Sequence, residues 1–473
     1  MEAVLWKILV VFNVMVLAYF ITLNLFYFIT SISAYVALRR YFRRMKTLDI
    51  QELIATSGAP PITLLAPAYN EEATCVEATR SLLALNHPNF EVLVINDGSK
   101  DETMSRLKEA FDLEPFPRAP TASLKTKPVT AVYRSKSDPS LWVIDKENGG
   151  KADALNVGIN FCETPLFCGI DADSLLEPDA LMRIQRVFLE NGLTIAAGGS
   201  IRIANGCTIE KGSVRDVRLP RNLLASFQVL EYLRAFLAGR LGWSELNATL
   251  IISGAFGVFR RSVVVDAGGY ASDTVGEDME LIVRLHRHMR RKRVPYRIEF
   301  VPDPVAWTEV PESLKTLGRQ RDRWHRGLWD SLMRHRGMMF NPRYGMVGMV
   351  AFPYFFFLEL LGPLVEILGF IAFAITILIG RASSTYIIAF LAVAIVLGIG
   401  LSVLAVGLEE ISFRRYTRFR ELFRLFLIAI IENFGYRQIV SFFRMKGLFS
   451  AIRGKQGWGA MQRRGFSVKG AKP

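Results

Sequence analysis

Carboxylates at the ends of apolar runs are the first residues in this chain that can do chemistry. Asp171-Ala172-Asp173 follows the run at 166–170, which reads as a buried strand. Two carboxylates one residue apart at a strand end lie at the sheet edge where open α/β sheets take ligands. Their hard oxygens suit Mg2+ or Mn2+ carrying a diphosphate; a plain turn or helix cap accounts for the tripeptide equally well in isolation. Glu277-Asp278 opens a helical pattern whose apolar face is Leu281, Ile282, Leu285 and Met289, and basic residues 290–293 close it. Acidic start and basic end match the helix dipole, which by itself explains the pair. In the chemical reading Asp278 is a general base that takes a hydroxyl proton, with neighbouring acidic groups such as Glu277 raising its pKa.

Three further stretches supply other groups. Asn148-Gly149-Gly150-Lys151 opens a helix, and glycines followed by a lysine there form an anion site. The spacing is not that of an ATP-binding P-loop, because no Gly-Lys-Ser/Thr follows at the required distance. Pro67-Ala68-Tyr69-Asn70-Glu71 ends the first strand and Asn96-Asp97-Gly98-Ser99 the second. Asp97 beside Tyr69 can read a nucleobase edge while the ring meets its face, and an Asx-turn is the alternative. Gln320, Arg323 and Trp324 share one face of a helical stretch. A planar arginine suits a departing diphosphate and an indole suits a sugar face. An interfacial Trp with snorkelling arginines explains Arg323 and Trp324 but not Gln320.

The elements that must position these groups are legible in outline. Short apolar runs at 62–67, 91–95, 129–133, 141–144 and 166–170 alternate with helical patterns at 72–85 and 153–161, and 114–128 reads as a loop. Such alternation predicts a mainly parallel α/β sheet covered on both faces. Further strands are expected at 195–203, 250–259 and 297–301, with a helix at 222–241.

The 473 residues are 51% hydrophobic and 22% charged with a net charge of +14. So basic a chain raises nucleic-acid binding, but the arginines cluster beside apolar stretches, at 39–46 and 414–424, as positive-inside flanks do. No nucleic-acid partner is expected. The apolar stretch 4–38 is too long for a signal peptide and reads as one anchor. A surface or re-entrant piece precedes a span near 364–380, another span covers 385–408, and 422–443 reads as an interfacial or protein-lined helix because Glu432, Asn433 and Arg437 are costly in hydrocarbon. The four cysteines lack metal-ligand spacing and are expected to be free thiols, and the five histidines form no zinc motif.

Taken in order, PAYNE, NDGS, GGK, DAD, GED and QRDRW resemble the family 2 membrane-bound glycosyltransferases with a GT-A domain, and Ser253–Gly257 draws the chain toward the bacterial poly-β-1,6-N-acetylglucosamine synthases, with hyaluronan and chitin synthases nearby. The resemblance implies a Rossmann-like GT-A domain in the cytoplasm plus α-helical membrane segments. It also implies Asp278 as base beside Glu277, with Tyr69, Glu71, Asp97, Lys151 and Asp171 at the nucleotide. Asp173 and Asp171 would face a Mg2+ or Mn2+ ion, and Gln320, Arg323 and Trp324 the diphosphate and acceptor. Gly276 stands where the family usually has Thr, and no PilZ-like module follows the last apolar segment, which disfavours cellulose.

The expected layout is an anchor at 1–40, a basic linker at 41–59, a catalytic domain at 60–336, membrane helices at 337–445 and a basic cytoplasmic tail at 446–473. The implied activity is inverting, processive polymerisation of a β-glycan from UDP-GlcNAc or UDP-glucose at the inner face of the cell membrane, coupled to export. Expected partners are the UDP-sugar, the growing glycan or a lipid acceptor, membrane lipid, and a small membrane subunit or a second copy. A single-addition lipid glycosyltransferase and a non-catalytic export scaffold are the alternatives. Product length separates the first, and absence of UDP release would favour the second.

Overall fold

The computed structural model describes residues 2–46, 58–171, 174–210, 212–416 and 418–454; Asp173, most of the basic linker and most of the tail lie outside the described residues. The chain forms two compact units. One takes the described residues of 40–218 and 246–310, the other those of 1–39, 219–245 and 311–459.

The first unit is built on a sheet. Its strands are β1 (Ile62–Ala68), β2 (Phe90–Asp97), β3 (Leu113–Pro115), β4 (Val129–Ser135), β5 (Leu141–Lys146), β6 (Leu166–Ile170), β7 (Leu175–Leu176), β8 (Thr194–Ile203), β9 (Thr208–Glu210), β10 (Ser213–Asp216), β11 (Phe256–Arg260) and β12 (Arg297–Thr308). Among the described residues ten of them form one sheet in the order β3-β4-β5-β2-β1-β6-β11-β8-β12-β7, while β9 and β10 pair separately. β5, β2, β1 and β6 run parallel, as expected of apolar runs buried on both faces.

Register decides what meets what. Ala68 pairs with Asn96, and Asp97 with Lys146, so β1, β2 and β5 finish level. β11 inserts antiparallel between β6 and β8, with Phe256 opposite Ile170. The segment entering β11 therefore arrives at the edge where β6 delivers Asp171. The expected strand at 250–259 is shorter, because 250–255 runs without ladder pairing until Phe256. β12 is longer than the apolar run 297–301: it passes Pro302 and Pro304 through a register shift between Phe300 and Val305. A proline cannot donate to the ladder, so the continuation hides behind a local breaker.

The helix Lys151–Phe161 lies against the centre of this sheet with Leu155 and Ile159 in the core alongside Leu65, Leu93, Ile95 and Phe167. Gly158 allows the approach: a Cβ there would lie 2.8 Å from Leu65 Cδ2. Close packing of that helix sets the height of Lys151 at its first turn. Asn160 and Asp153 fix the loop expected at 114–128 from behind, accepting the N–H groups of Leu124 and Lys127. All four cysteines are free thiols, three of them buried.

The second unit is helical. Its helices include Leu223–Tyr232, Leu314–Arg334, Gly362–Leu378, Phe419–Ile431 and Tyr436–Ile452. Among the described residues two helices, Glu2–Met45 and Ser384–Ser412, are long and apolar enough to cross a membrane. Two bent pairs meet the same test jointly, Val347–Leu360 with Gly362–Leu378 at 44° and Phe419–Ile431 with Tyr436–Ile452 at 59°. Residues 422–443 thus form parts of two helices, and Glu432, the costly residue between them, is fully buried. Its carboxylate accepts from Arg234 and from Ser402 Oγ at 2.7 Å. The predicted helix at 222–241 continues to Glu245, with wider turns over Leu233–Arg240.

Candidate active site

The C-terminal ends of β1 and β2 are tied by their loops. Asn70 takes a left-handed conformation, with φ at 54°. Its N–H donates to Ser99 Oγ at 3.0 Å, and its Oδ1 accepts from the Lys100 N–H at 2.8 Å. Asparagine tolerates that backbone better than most residues, a signal in PAYNE that sequence reasoning passed over. Glu71 is buried, and its Oε2 accepts from Thr74 Oγ1 at 2.8 Å. Tyr69 is 46% exposed at the same loop and keeps its ring open to a ligand.

Asp97 turns inward. Its Oδ1 takes the Lys146 ammonium and the Gly149 N–H at 2.9 Å. Its Oδ2 takes the Gly150 N–H at 2.7 Å and Asn148 Nδ2 at 3.1 Å. A carboxylate has about four acceptor positions. All are filled, so contact with a base edge requires one of these bonds to be given up. Asp97 anchors the loop that carries Lys151. Lys146, which also pairs with Asp153 at 2.8 Å, is the buried residue behind this arrangement. A lysine at the end of an apolar run was its only sequence signal.

Lys151 reaches across to the other strands. Its ammonium donates to Asp171 Oδ1 and lies 3.4 Å from the Gly254 carbonyl and 3.8 Å from Glu277 Oε1. Burial alone would lower its pKa, but the carboxylates of Asp171, Glu277 and Asp278 outweigh that and hold the group above the usual lysine value. Asp278 is half-buried at the start of the helix Glu277–Lys292. Its Oδ1 accepts from the Met279 N–H at 2.8 Å and its Oδ2 more weakly from the Gly254 N–H at 3.3 Å. Gly254 is the hinge of the cluster: a Cβ there would lie 2.8 Å from Lys151 Nζ and 3.8 Å from Asp278 Oδ2. Lys151, Asp171, Glu277 and Asp278 are thus brought together from three distant stretches of sequence. Asp173 lies outside the described residues, and no group of three or more metal-binding side chains occurs among those described.

Gln320, Arg323 and Trp324 stand on the helix Leu314–Arg334 of the helical unit, capped by Ser313 Oγ accepting from the Thr316 N–H. Gln320 Oε1 has no hydrogen-bond partner among the described residues, and Trp324 is 43% exposed. Between them Arg321 turns into the unit, donating to Glu231 Oε2 at 2.8 Å, and its guanidinium lies 4.3 Å from the Trp324 ring centroid. Tyr436 donates to the same Glu231 oxygen at 2.8 Å. Arg321 went unremarked in the sequence because its partners are remote.

The sheet of the first unit has the mixed, mostly parallel GT-A-like architecture, and the second unit contributes long apolar helices. The mannosyltransferase PcManGT from Pyrobaculum calidifontis, solved with GDP-Man and Mn2+, shares that fold at a TM-score of 0.51 and 17% identity, covering 89% of this chain and 99% of its own. Models of glycosyl transferase family 2 and of glycosyl transferase family group 2 match residues 63–265 and 167–401. The chain belongs to the family 2 glycosyltransferases. Poly-β-1,6-N-acetyl-D-glucosamine synthase of Staphylococcus aureus strain COL is 30% identical over 276 residues, 58% of this chain and 56% of that protein. The Staphylococcus epidermidis protein of the same name is 27% identical over 325 residues, 68% of this chain and 67% of its own. The match to the first thus spans little more than half of that relative's length.

Proposed function

We propose that this glycosyltransferase moves a sugar from UDP-GlcNAc, or from UDP-glucose, to a hydroxyl at the end of a growing β-linked glycan, with inversion at the anomeric carbon. The observation that carries the reading is the meeting of Lys151, Asp171 and Glu277 with Asp278, a cation and a base beside one another at the ligand edge of the sheet. The names of the staphylococcal relatives support N-acetylglucosamine as the sugar and a polymer as the product.

Asp278 takes the proton of the acceptor hydroxyl as that oxygen bonds to the sugar carbon and the bond to UDP breaks. Lys151 offsets charge on the departing diphosphate, a role that the family resemblance also suggests for Gln320 and Arg323. Trp324 stacks on the acceptor sugar, and Tyr69 on the base.

A divalent ion fits the donors present. Asp171, with Asp173 two residues on, offers hard oxygens, and a cation in the form of the Lys151 ammonium already rests against Asp171. When bound, Mg2+ or Mn2+ supplies charge compensation for the diphosphate. The basic flanks of the apolar helices support a catalytic domain on the cytoplasmic side.

The test is purified full-length chain in detergent, given UDP-GlcNAc, UDP-glucose and UDP-glucuronate in turn, with UDP release measured and products sized. Long UDP-GlcNAc-dependent chains support the reading. A single added sugar replaces polymerisation with one-step transfer, and no UDP release with any donor overturns it.

A further inference from the structure

We propose that Lys151 is a built-in counter-cation that guards Asp171 against free divalent ions and lets go of it only when a diphosphate arrives. This rests on the reading of the site just given.

The Lys151 side chain is the charged donor of the GGK loop. The N–H groups of Gly149 and Gly150, which would ordinarily cradle a phosphate, are both committed to Asp97. Those two N–H groups, ahead of the helix Lys151–Phe161, already serve a carboxylate, so the Lys151 ammonium joins the N–H groups of the helix's first turn as a donor toward a diphosphate. That ammonium is not waiting in solvent. It is held by Asp171 and the Gly254 carbonyl, in the field of Glu277 and Asp278.

The Lys151 ammonium faces the carboxylates of Asp171, Glu277 and Asp278 together, a field that draws cations. A divalent ion bound to Asp171 and an ammonium bonded to the same carboxylate repel each other at contact distance. Lys151 must move off for the ion to bind tightly, and a diphosphate gives it somewhere to go. Its flexible four-carbon stem permits the swing. Gly254 keeps the present position open, since any side chain there would meet Nζ at 2.8 Å. Metal and nucleotide entry are coupled through this side chain.

The experiment measures Mn2+ binding to the full chain by electron paramagnetic resonance of the unbound ion, without nucleotide and then with UDP. Lys151→Gln is expected to tighten nucleotide-free Mn2+ binding by about fivefold or more and to weaken UDP binding. Lys151→Arg, which keeps the charge, is expected to stay within about twofold of wild type for nucleotide-free Mn2+. Gly254→Ala, which crowds the ammonium out, is expected to tighten nucleotide-free Mn2+ binding as Lys151→Gln does, and serves if that variant does not fold. Unchanged or weaker nucleotide-free Mn2+ binding in Lys151→Gln, or in Gly254→Ala where it stands in, overturns the proposal, as does an arginine variant that behaves like the glutamine one. UDP-sugar turnover by the wild type, run on the same preparation, separates the cases. Turnover with no Mn2+ effect sinks the role of Lys151 alone, whereas absence of both turnover and UDP binding sinks the reading of the site.

Discussion

At the scale of single residues, Asp278 and His286 share a helix and have opposite needs. In the proposed mechanism Asp278 must stay accessible to the acceptor hydroxyl. Asp278→Asn should lower transfer by about 100-fold or more, the usual worth of a general base, while UDP binding measured by calorimetry changes by less than about twofold. His286 is fully buried, its Nε2 donating to the Thr249 carbonyl at 2.9 Å and its Nδ1 accepting from Tyr296 Oη at 2.7 Å. Burial, reinforced by Arg290, lowers its pKa to about 4. A histidine whose folded pKa is depressed contributes stability above its unfolded value near 6.5, and that stability is lost as pH falls toward 4. From pH 7.5 to 5 the α/β unit should lose about 2 kcal/mol through this group. Thermal unfolding across that range should show a smaller loss in His286→Gln than in wild type.

At the scale of elements, the helix Leu314–Arg334 shows how a motif and its support are separate matters. The spacing of Gln320, Arg323 and Trp324 puts them on one face wherever the helix goes. What steadies that face is Arg321, 2% exposed, lying on the Trp324 ring and paired with Glu231 from another helix. Among the described residues two of its nitrogens, Nε and Nη1, have no hydrogen-bond partner, so Glu231 is its main compensation there. Glu231→Ala should cost about 3 kcal/mol by leaving a buried cation, and replacing Arg321 by Met in the same chain should recover part of it. Thermal unfolding of the single and double variants checks this. Acceptor-dependent turnover should fall further than UDP-sugar hydrolysis in Glu231→Ala, because the indole loses its support while the α/β unit keeps its own groups.

At the scale of the whole molecule, the apolar helices are held together by polar contacts that hydropathy cannot foresee. Tyr27 donates to Glu359 at 2.9 Å, Arg444 pairs with Glu359 at 2.9 Å, and Glu432 is enclosed by Arg234, Ser402 and Arg437. Charges among apolar helices persist only when paired. Arg234→Leu should destabilise the helical unit by about 3–5 kcal/mol, seen as loss of monodisperse protein on size exclusion after detergent extraction, and adding Glu432→Gln should restore part of the yield.

The sequence by itself determined which chemically capable groups stand where along the chain. Short apolar runs that end in Asn96-Asp97 or Asp171 can only deliver those groups to a strand end, and a long apolar run flanked by arginines is a span by composition. These are local properties, written in neighbours two to four residues apart. Only the tertiary structure decided the pairings made across long intervals: β11 slotting antiparallel beside β6 so that Gly254 lies between Lys151 and Asp278, β12 carrying on past its prolines, and residues 219–245 joining the helical unit. The inward turn of Asp97 toward Lys146 belongs with them, because a carboxylate fills its acceptor positions from whatever donors the fold brings near, and nothing in the adjacent sequence names those donors.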